Sequence, residues 1–217
     1  MLLADFGTSY CKLLDRESGD PPRVVPTREL APGFRADLAT GHNAPRRSTS
    51  SINELTALAR GGQRLISQPD FVVLDCGSRD IKFVRFQDGK VADMGWNAEC
   101  GASMGFTIEL LAAYYQLDYA TMQAPPAGFS VTCGVLGMSR IFDAVIAGSS
   151  ETEAVARFVR GIAHNAYRFA GEPDELFLSG GLCENPLFVA CLPCTVHLLG
   201  RFVLLEGLIA SLDTPAP

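Results

Sequence analysis

Positive charge is scarce in this 217-residue chain: 18 Lys and Arg stand against 24 Asp and Glu, a formal net charge of −6. That excludes the extended basic footprint of a nucleic-acid binder and leaves room only for a local basic pocket. Long apolar runs are missing too. None approaches the roughly 20 residues that cross a bilayer, and the opening MLLADFGTSY lacks the basic and cleavable apolar segments of an export signal. The expectation is a cytoplasmic protein with neither nucleic acid nor membrane as partner. Histidine is rare, and His42, His164 and His197 fall at irregular separations with no ligand pattern, so they read as scattered polar or packed residues. The single tryptophan, Trp96, reads as packing. Seven cysteines form an odd set without an export signal, which favours reduced thiols or metal ligands over a disulfide framework.

What is present suffices for a core. The composition, 47% hydrophobic and 19% charged, is that of a globular chain, and the length suits one large domain or two small lobes. Met1 to Phe6 and Cys11 to Asp15 read as a strand pair around a tight polar turn. Arg23 to Val25 is an edge strand within a stretch punctuated by Pro and Gly, and Arg35 to Thr40 a short strand. The capping pattern Ser51-Ile52-Asn53-Glu54 starts a helix over about 52 to 67. Phe71 to Asp75 and Ile81 to Gln87 form a second strand pair, and Lys90 to Asn97 a third strand after the Asp88-Gly89 turn. Apolar spacing places helices over Gly105 to Leu117, Met138 to Ala147, Glu151 to Phe169 and Arg201 to Leu212, while Glu175 to Leu178 is a strand running into LSGGLCENP.

The two strand pairs resemble each other. "ADFGTSYCKLL" and "LDCGSRDIKFV" both read strand, Asp-x-Gly-Ser/Thr, then strand with a lysine at its start, which suggests a duplicated unit. Such turns let backbone N–H groups converge on phosphate oxygens, while a carboxylate at the strand end holds hydrated magnesium. Asp5 and Asp75 are therefore the candidate catalytic, metal-side carboxylates, with Gly7, Thr8, Ser9, Gly77 and Ser78 as phosphate cradles. An ordinary hairpin turn is the bland alternative for either copy alone. Lys12 and Lys82 point at phosphate or lie on a solvated strand face, the latter favoured for Lys82; Asp80 is a second magnesium-shell group or a turn residue.

The cysteines divide by context. Cys11 and Cys76 sit in the strand-turn units as small apolar fillers, Cys183 packs behind the glycine pair, and Cys191-Leu192-Pro193-Cys194 has CxxC spacing without a second pair to complete a ligand set. Cys100 in NAECGASMGF and Cys133 in SVTCGVLGM each precede a glycine and an expected helix start, where N–H groups and the positive dipole end stabilise thiolate. Packed thiols remain the alternative. Two thiolates from one chain are half of a four-cysteine set, which a twofold dimer would complete.

In their order, "ADFGTSYCK", "LATGHN", "LDCGSRDIKFVRFQDGK", "NAECGASMGFTIELLA", "VTCGVLGMSRIFDAVIAG" and "LSGGLCENP" resemble the activators of 2-hydroxyacyl-CoA dehydratases and the ATPase subunits of benzoyl-CoA reductases. These families belong to the superfamily of acetate and sugar kinases, heat-shock chaperone ATPases and actin. The resemblance implies an α/β fold of two ribonuclease-H-like lobes closing on ATP and Mg, with residues 1–70 as a reduced N-terminal lobe, 71–196 as the C-terminal lobe and 197–217 as a helix and tail near the lobe interface. It also implies a homodimer sharing one 4Fe-4S cluster through Cys100 and Cys133, an electron donor such as ferredoxin or flavodoxin, and an electron-accepting reductase or dehydratase. Asp5, Gly7, Thr8 and Ser9 match its first phosphate motif, Asp75, Gly77 and Ser78 its second, and Gly180, Gly181 and Asn185 its adenosine-side motif; Lys12 falls with the nucleotide-binding set. A degenerate nucleotide-binding or regulatory subunit without turnover, and a small-molecule kinase of the same superfamily, are the alternatives.

The chain departs from the family pattern at several places. Ser78 and Arg79 stand where Gly and Gln are usual, Met138 stands where an acidic residue is usual, the loop from Gly101 to Gly105 is poorer in glycine, and Arg28 to Phe34 links directly to the LATG strand without a helix. Two readings of Arg79 stay open: a compensating phosphate partner, or the mark of a retuned or lost pocket.

Overall fold

The computed structural model describes residues 1–97, 104–132 and 134–213. Ten strands form two five-stranded sheets. The first contains Leu2–Phe6 (β1), Tyr10–Asp15 (β2), Arg23–Pro26 (β3), Ala36–Gly41 (β4) and Ser48–Ser51 (β5); the second contains Phe71–Cys76 (β6), Ile81–Gln87 (β7), Lys90–Asn97 (β8), Glu175–Ser179 (β9) and Thr195–Gly200 (β10). Their orders, β3-β2-β1-β4-β5 and β10-β9-β6-β7-β8, are one topology used twice. In each, a three-stranded antiparallel meander continues into two parallel strands.

The registers repeat as well. Asp5 lies opposite Lys12 on one side and Thr40 on the other; Asp75 lies opposite Lys82 and Ser179. Covered on both faces, β6 reads as an apolar run, and all six of its residues are buried.

Helices are shared unequally. The first sheet has only Ala44–Arg47 (α1) and a single 3-10 turn, Thr27–Glu29, on its outer side, where Leu30 and Phe34 pack against Ala4, Phe6 and Leu13. The second carries Met104–Tyr115 (α3), Gly134–Ile146 (α4), Glu151–Phe169 (α5) and Pro186–Ala190 (α6). Ser150 caps α5, its Oγ accepting from the Glu153 N–H at 3.1 Å, and the buried face from Ala154 to Ala166 follows the helical repeat. Between the sheets lie Glu54–Leu65 (α2) and Val203–Asp213 (α7). With α7's Val203 and Leu204, α2 covers Phe71, Val73, Val84 and Phe86, while Leu205 and Leu208 of α7 meet Leu3 and Leu38. The two helices touch backbone to backbone: a Cβ on Gly207 would stand 1.8 Å from the Ala57 carbonyl oxygen, and one on Gly61 would stand 2.0 Å from that of Val203.

One helix start is corrected, and two strands went unread in the sequence. Helix α4 begins at Gly134, ahead of the Met138 start read from apolar spacing. β5, Ser-Thr-Ser-Ser, is a polar edge strand held by parallel pairing with β4, so no alternation announced it. β10 carries the second sheet past residue 196 to Gly200 by pairing parallel to β9.

Candidate nucleotide site

Both Asp-x-Gly turns open into one narrow slot between the sheets. Asp5, Gly7, Thr8, Ser9 and Lys12 line it from the first sheet, Asp75, Gly77, Ser78, Arg79, Asp80 and Lys82 from the second, joined by Glu54, Glu109, Gly181, Arg201 and Leu204. Asp5 is 4% exposed and Asp75 7%. Both aspartates stand near the inner ends of their strands, where the chain turns away and uncovers backbone N–H groups.

The two copies use their lysines differently. Lys12 Nζ donates to Asp5 Oδ2 at 2.8 Å. Burial opposes the Lys12 charge, but Asp5 and then Asp75 outweigh it and hold its pKa above the ordinary lysine value. Lys82, expected on a solvated strand face, is only 2% exposed. Its ammonium meets Asp80 Oδ1 at 2.7 Å and Glu54 Oε2 at 2.8 Å and lies 5.4 Å from the Trp96 ring centroid. Glu54 comes from α2, so the partner that makes this burial possible is remote in sequence. Desolvation works against the Lys82 charge, and Asp75, Glu54 and Asp80 together raise its pKa. Asp80 also accepts from Trp96 Nε1 at 3.0 Å, so it anchors its turn and ties Trp96 to it. Asp75 Oδ1 instead accepts from Ser179 Oγ at 2.7 Å.

The glycines after the parallel partners are twins. Gly41 has φ +95° and Gly180 φ +88°. A Cβ there would stand 2.5 Å from the Phe6 carbonyl oxygen and 2.4 Å from that of Cys76, respectively. Gly180 crosses the end of β6 at a positive φ with no room for a Cβ, which by itself calls for glycine. Gly181 is different: a Cβ would meet nothing closer than Arg201 Nη2 at 3.7 Å, and the residue lines both the slot and a cleft of about 470 Å³ with Ile108, Glu109, Leu182, Asn185 and Pro186. The Asn185 side chain caps α6, accepting from the Phe188 N–H at 3.0 Å.

A third cavity of about 420 Å³ adjoins the turns, bounded by Thr8, Ser9, Tyr10, Pro26, Arg28, Ser78, Arg79, Phe106 and Glu109. Glu109 therefore borders all three spaces. Burial pushes its carboxyl above the usual carboxylate range, with Arg201 pulling the other way. Its helix, α3, is fastened to the second turn, since Phe106 N–H donates to the Ser78 carbonyl at 3.0 Å. Sequence reasoning passed over Glu54, Glu109 and Arg201; only tertiary packing brings them here.

Cys100 and Cys133 lie outside the described residues. Among the described residues no group of three or more His, Cys, Asp or Glu side chains gathers to hold a metal ion. Burial pushes the Cys11 thiol up to about 12 and that of Cys183 to about 11, and it raises Cys76, Cys191 and Cys194 too. The CxxC pair thus lacks the lowered thiol pKa of a redox motif.

No family model matches the chain. It is 25% identical over 162 residues to the (R)-2-hydroxyglutaryl-CoA dehydratase activating ATPase of Acidaminococcus fermentans, an alignment covering 68% of this chain and 61% of that protein. The chain is similar to the dehydratase-activating ATPases. It spans 61% of the length of this curated relative. The crystal structure of the A. fermentans dehydratase component A superposes with a TM-score of 0.75 at 17% identity, covering 97% of this chain and 95% of the other. The Clostridium difficile activator of 2-hydroxyisocaproyl-CoA dehydratase, solved with bound ADPNP, gives 0.72 at 16% identity, covering 100% and 98%. The fold is that of the actin-like ATPases, two lobes each built on the β3-β2-β1-β4-β5 plan. No helix among the described residues is long and apolar enough to cross a membrane.

Proposed function

We propose that the chain is an ATP-dependent iron–sulfur activator that passes a low-potential electron to a partner reductase or dehydratase of the 2-hydroxyacyl-CoA or benzoyl-CoA type. The observation that carries this reading is the pair of twin turns facing one slot, the second of which is bonded to α3 through Ser78 and Phe106. Buried Asp5 and Asp75 suit a magnesium ion that keeps several waters and takes its remaining ligands from phosphate, rather than one held in an all-protein cage. Backbone N–H groups of Thr8, Ser9 and Ser78 would meet phosphate oxygens, those of Gly7 and Gly77 being used within the turns by the Asp5 and Asp80 carbonyls, with Lys12 adding charge beside Asp5. The cleft at Gly181 and Asn185 would take the adenosine.

Coupling in this reading runs through α3, which follows Cys100 in sequence. A nucleotide that moves Ser78 also moves the first turn of α3, and the work available is the difference in nucleotide affinity between two states of the protein. Cys100 and Cys133 are the candidate thiolates of a 4Fe-4S cluster whose other two ligands come from a second copy; the five described cysteines belong to no group of three or more candidate ligands among the described residues. When bound, such a cluster supplies the one-electron carrier, loaded by a ferredoxin- or flavodoxin-type donor.

The test is iron and acid-labile sulfide per chain after anaerobic reconstitution, beside Cys100→Ala and Cys133→Ala. About two irons per chain, lost in both variants, is expected for one cluster shared by two subunits. Iron absent from wild type, or kept at the wild-type amount in both variants, removes the electron-transfer reading. A small-molecule kinase is the second reading, favoured by the cavity of about 420 Å³ beside Ser9, Ser78 and Glu109, where an acceptor would face the terminal phosphate. An iron-free protein that hydrolyses ATP faster with a bound acceptor would support it.

A further inference from the structure

Four cations line the slot, and three are already matched by carboxylates. Lys12 sits 2.8 Å from Asp5, Lys82 sits 2.7 and 2.8 Å from Asp80 and Glu54, and Arg201 sits 3.1 Å from Glu184. Arg79 differs. Its nearest carboxylate contact among the described residues is 3.9 Å, to an Asp80 oxygen that already accepts from Trp96. Its Nε is shielded from solvent and has no hydrogen-bond partner among the described residues; Arg201 Nε shares that shielding, but it has a Glu184 carboxylate oxygen at 3.1 Å. Its Nη2 reaches instead across the mouth of the slot to His42 Nδ1 at 3.2 Å. A guanidinium only donates, so the imidazole nitrogen accepts. His42 is held in place by its own N–H, which donates to the Phe6 carbonyl at 2.8 Å, directly after the left-handed Gly41.

An arginine spanning both lobes, paired with a neutral ring and carrying a buried unused donor, is poised to exchange partners. An imidazole gives one neutral acceptor; a phosphate gives charged oxygens in the geometry a guanidinium matches with two parallel bonds. We propose that Arg79 is a ligand for the terminal phosphate of a nucleoside triphosphate, and that its bond to His42 is the resting contact which that phosphate replaces. This rests on the reading of the slot as a nucleotide site. A diphosphate, ending short of the slot mouth, would leave the His42 contact in place, so Arg79 would report the third phosphate from the second lobe, the lobe to which α3 is tied.

Titration calorimetry in magnesium buffer with ADP and with a β,γ-imido ATP analogue tests this in wild type, Arg79→Ala, Arg79→Lys and His42→Ala. Wild type should bind the analogue more tightly than ADP. Arg79→Ala should weaken the analogue about 10- to 100-fold while ADP stays within about twofold. Arg79→Lys should recover part of the loss, and His42→Ala should bind the analogue as well as wild type or better. Equal weakening of both nucleotides, or an analogue affinity untouched in Arg79→Ala, overturns the role of Arg79 while the ADP binding keeps the nucleotide site. Failure of wild type to bind either nucleotide overturns the site reading, and this inference with it.

Discussion

The two strand-turn-strand units share their Asp-to-Lys pairing and topology, yet they settle their charges in different ways. In the first lobe the lysine opposite the aspartate bonds to it directly, Lys12 to Asp5. In the second the equivalent lysine is taken away by Asp80 and Glu54, and Asp75 is left with a hydroxyl, Ser179. The first lobe thus keeps a single pair in which Lys12 is the more exposed of the two lysines, and the second keeps a more deeply buried charge cluster. A duplicated fold fixes where the groups start; the neighbours added later decide which of them remain available to a ligand. The second lobe alone is fastened to α3, so the locked cluster steadies the very turn from which motion would be passed on.

The largest expected effect comes from removing the locked charge. Lys82→Met would leave Glu54 and Asp80 facing each other with little solvent, at a cost of about 3–5 kcal/mol in denaturant unfolding. Lys12→Met, in the more open pair, should cost about 1–3 kcal/mol. Equal losses would erase the distinction between the lobes. The pH response sharpens it. Both lysines have folded pKa values above the ordinary 10.5, so their stabilisation is fully present below that value and is lost as pH rises through the folded values. Unfolding free energy should therefore drop more steeply on the alkaline side in wild type than in Lys82→Met. Glu54 has the same sign at lower pH: its carboxyl is raised by burial, against the pull of Lys82, so its own contribution favours the fold below the ordinary 4.5 and fades as pH climbs past it.

Next in size is the hydroxyl pair. Ser179→Ala deletes the bond to Asp75 and should cost about 1–2 kcal/mol. Its twin, Thr40, is buried, and its Oγ1 has no hydrogen-bond partner among the described residues. Thr40→Val should accordingly lie within about 0.5 kcal/mol of wild type or improve on it. A Thr40→Val loss as large as that of Ser179→Ala would mean that the first lobe uses its hydroxyl after all.

The strand pairs were legible because their turns demand particular residues. Asp-x-Gly at a strand end, then a lysine at the same spacing in both copies, marked the duplicated unit, and the registers place each aspartate opposite its lysine. The capped helices and apolar β6 were legible for the same local reason. What escaped was set by remote partners. Lys82 looks solvated until Glu54 arrives from α2, and the Cys76 backbone that leaves Gly180 no room for a Cβ is over a hundred residues away in sequence. Neither the polar edge strand β5 nor the meeting of Arg79 with His42 leaves any mark in local spacing.

The crossing of α2 and α7 has a mechanical consequence. Where Gly61 and Gly207 bring two backbones into direct contact, no side chain remains to yield, and neither helix can slide along the other without a collision of main-chain atoms. The spacing of the two helices is set there by main-chain contact, so a methyl group added at either glycine would have to drive them apart and loosen the layer that both sheets share.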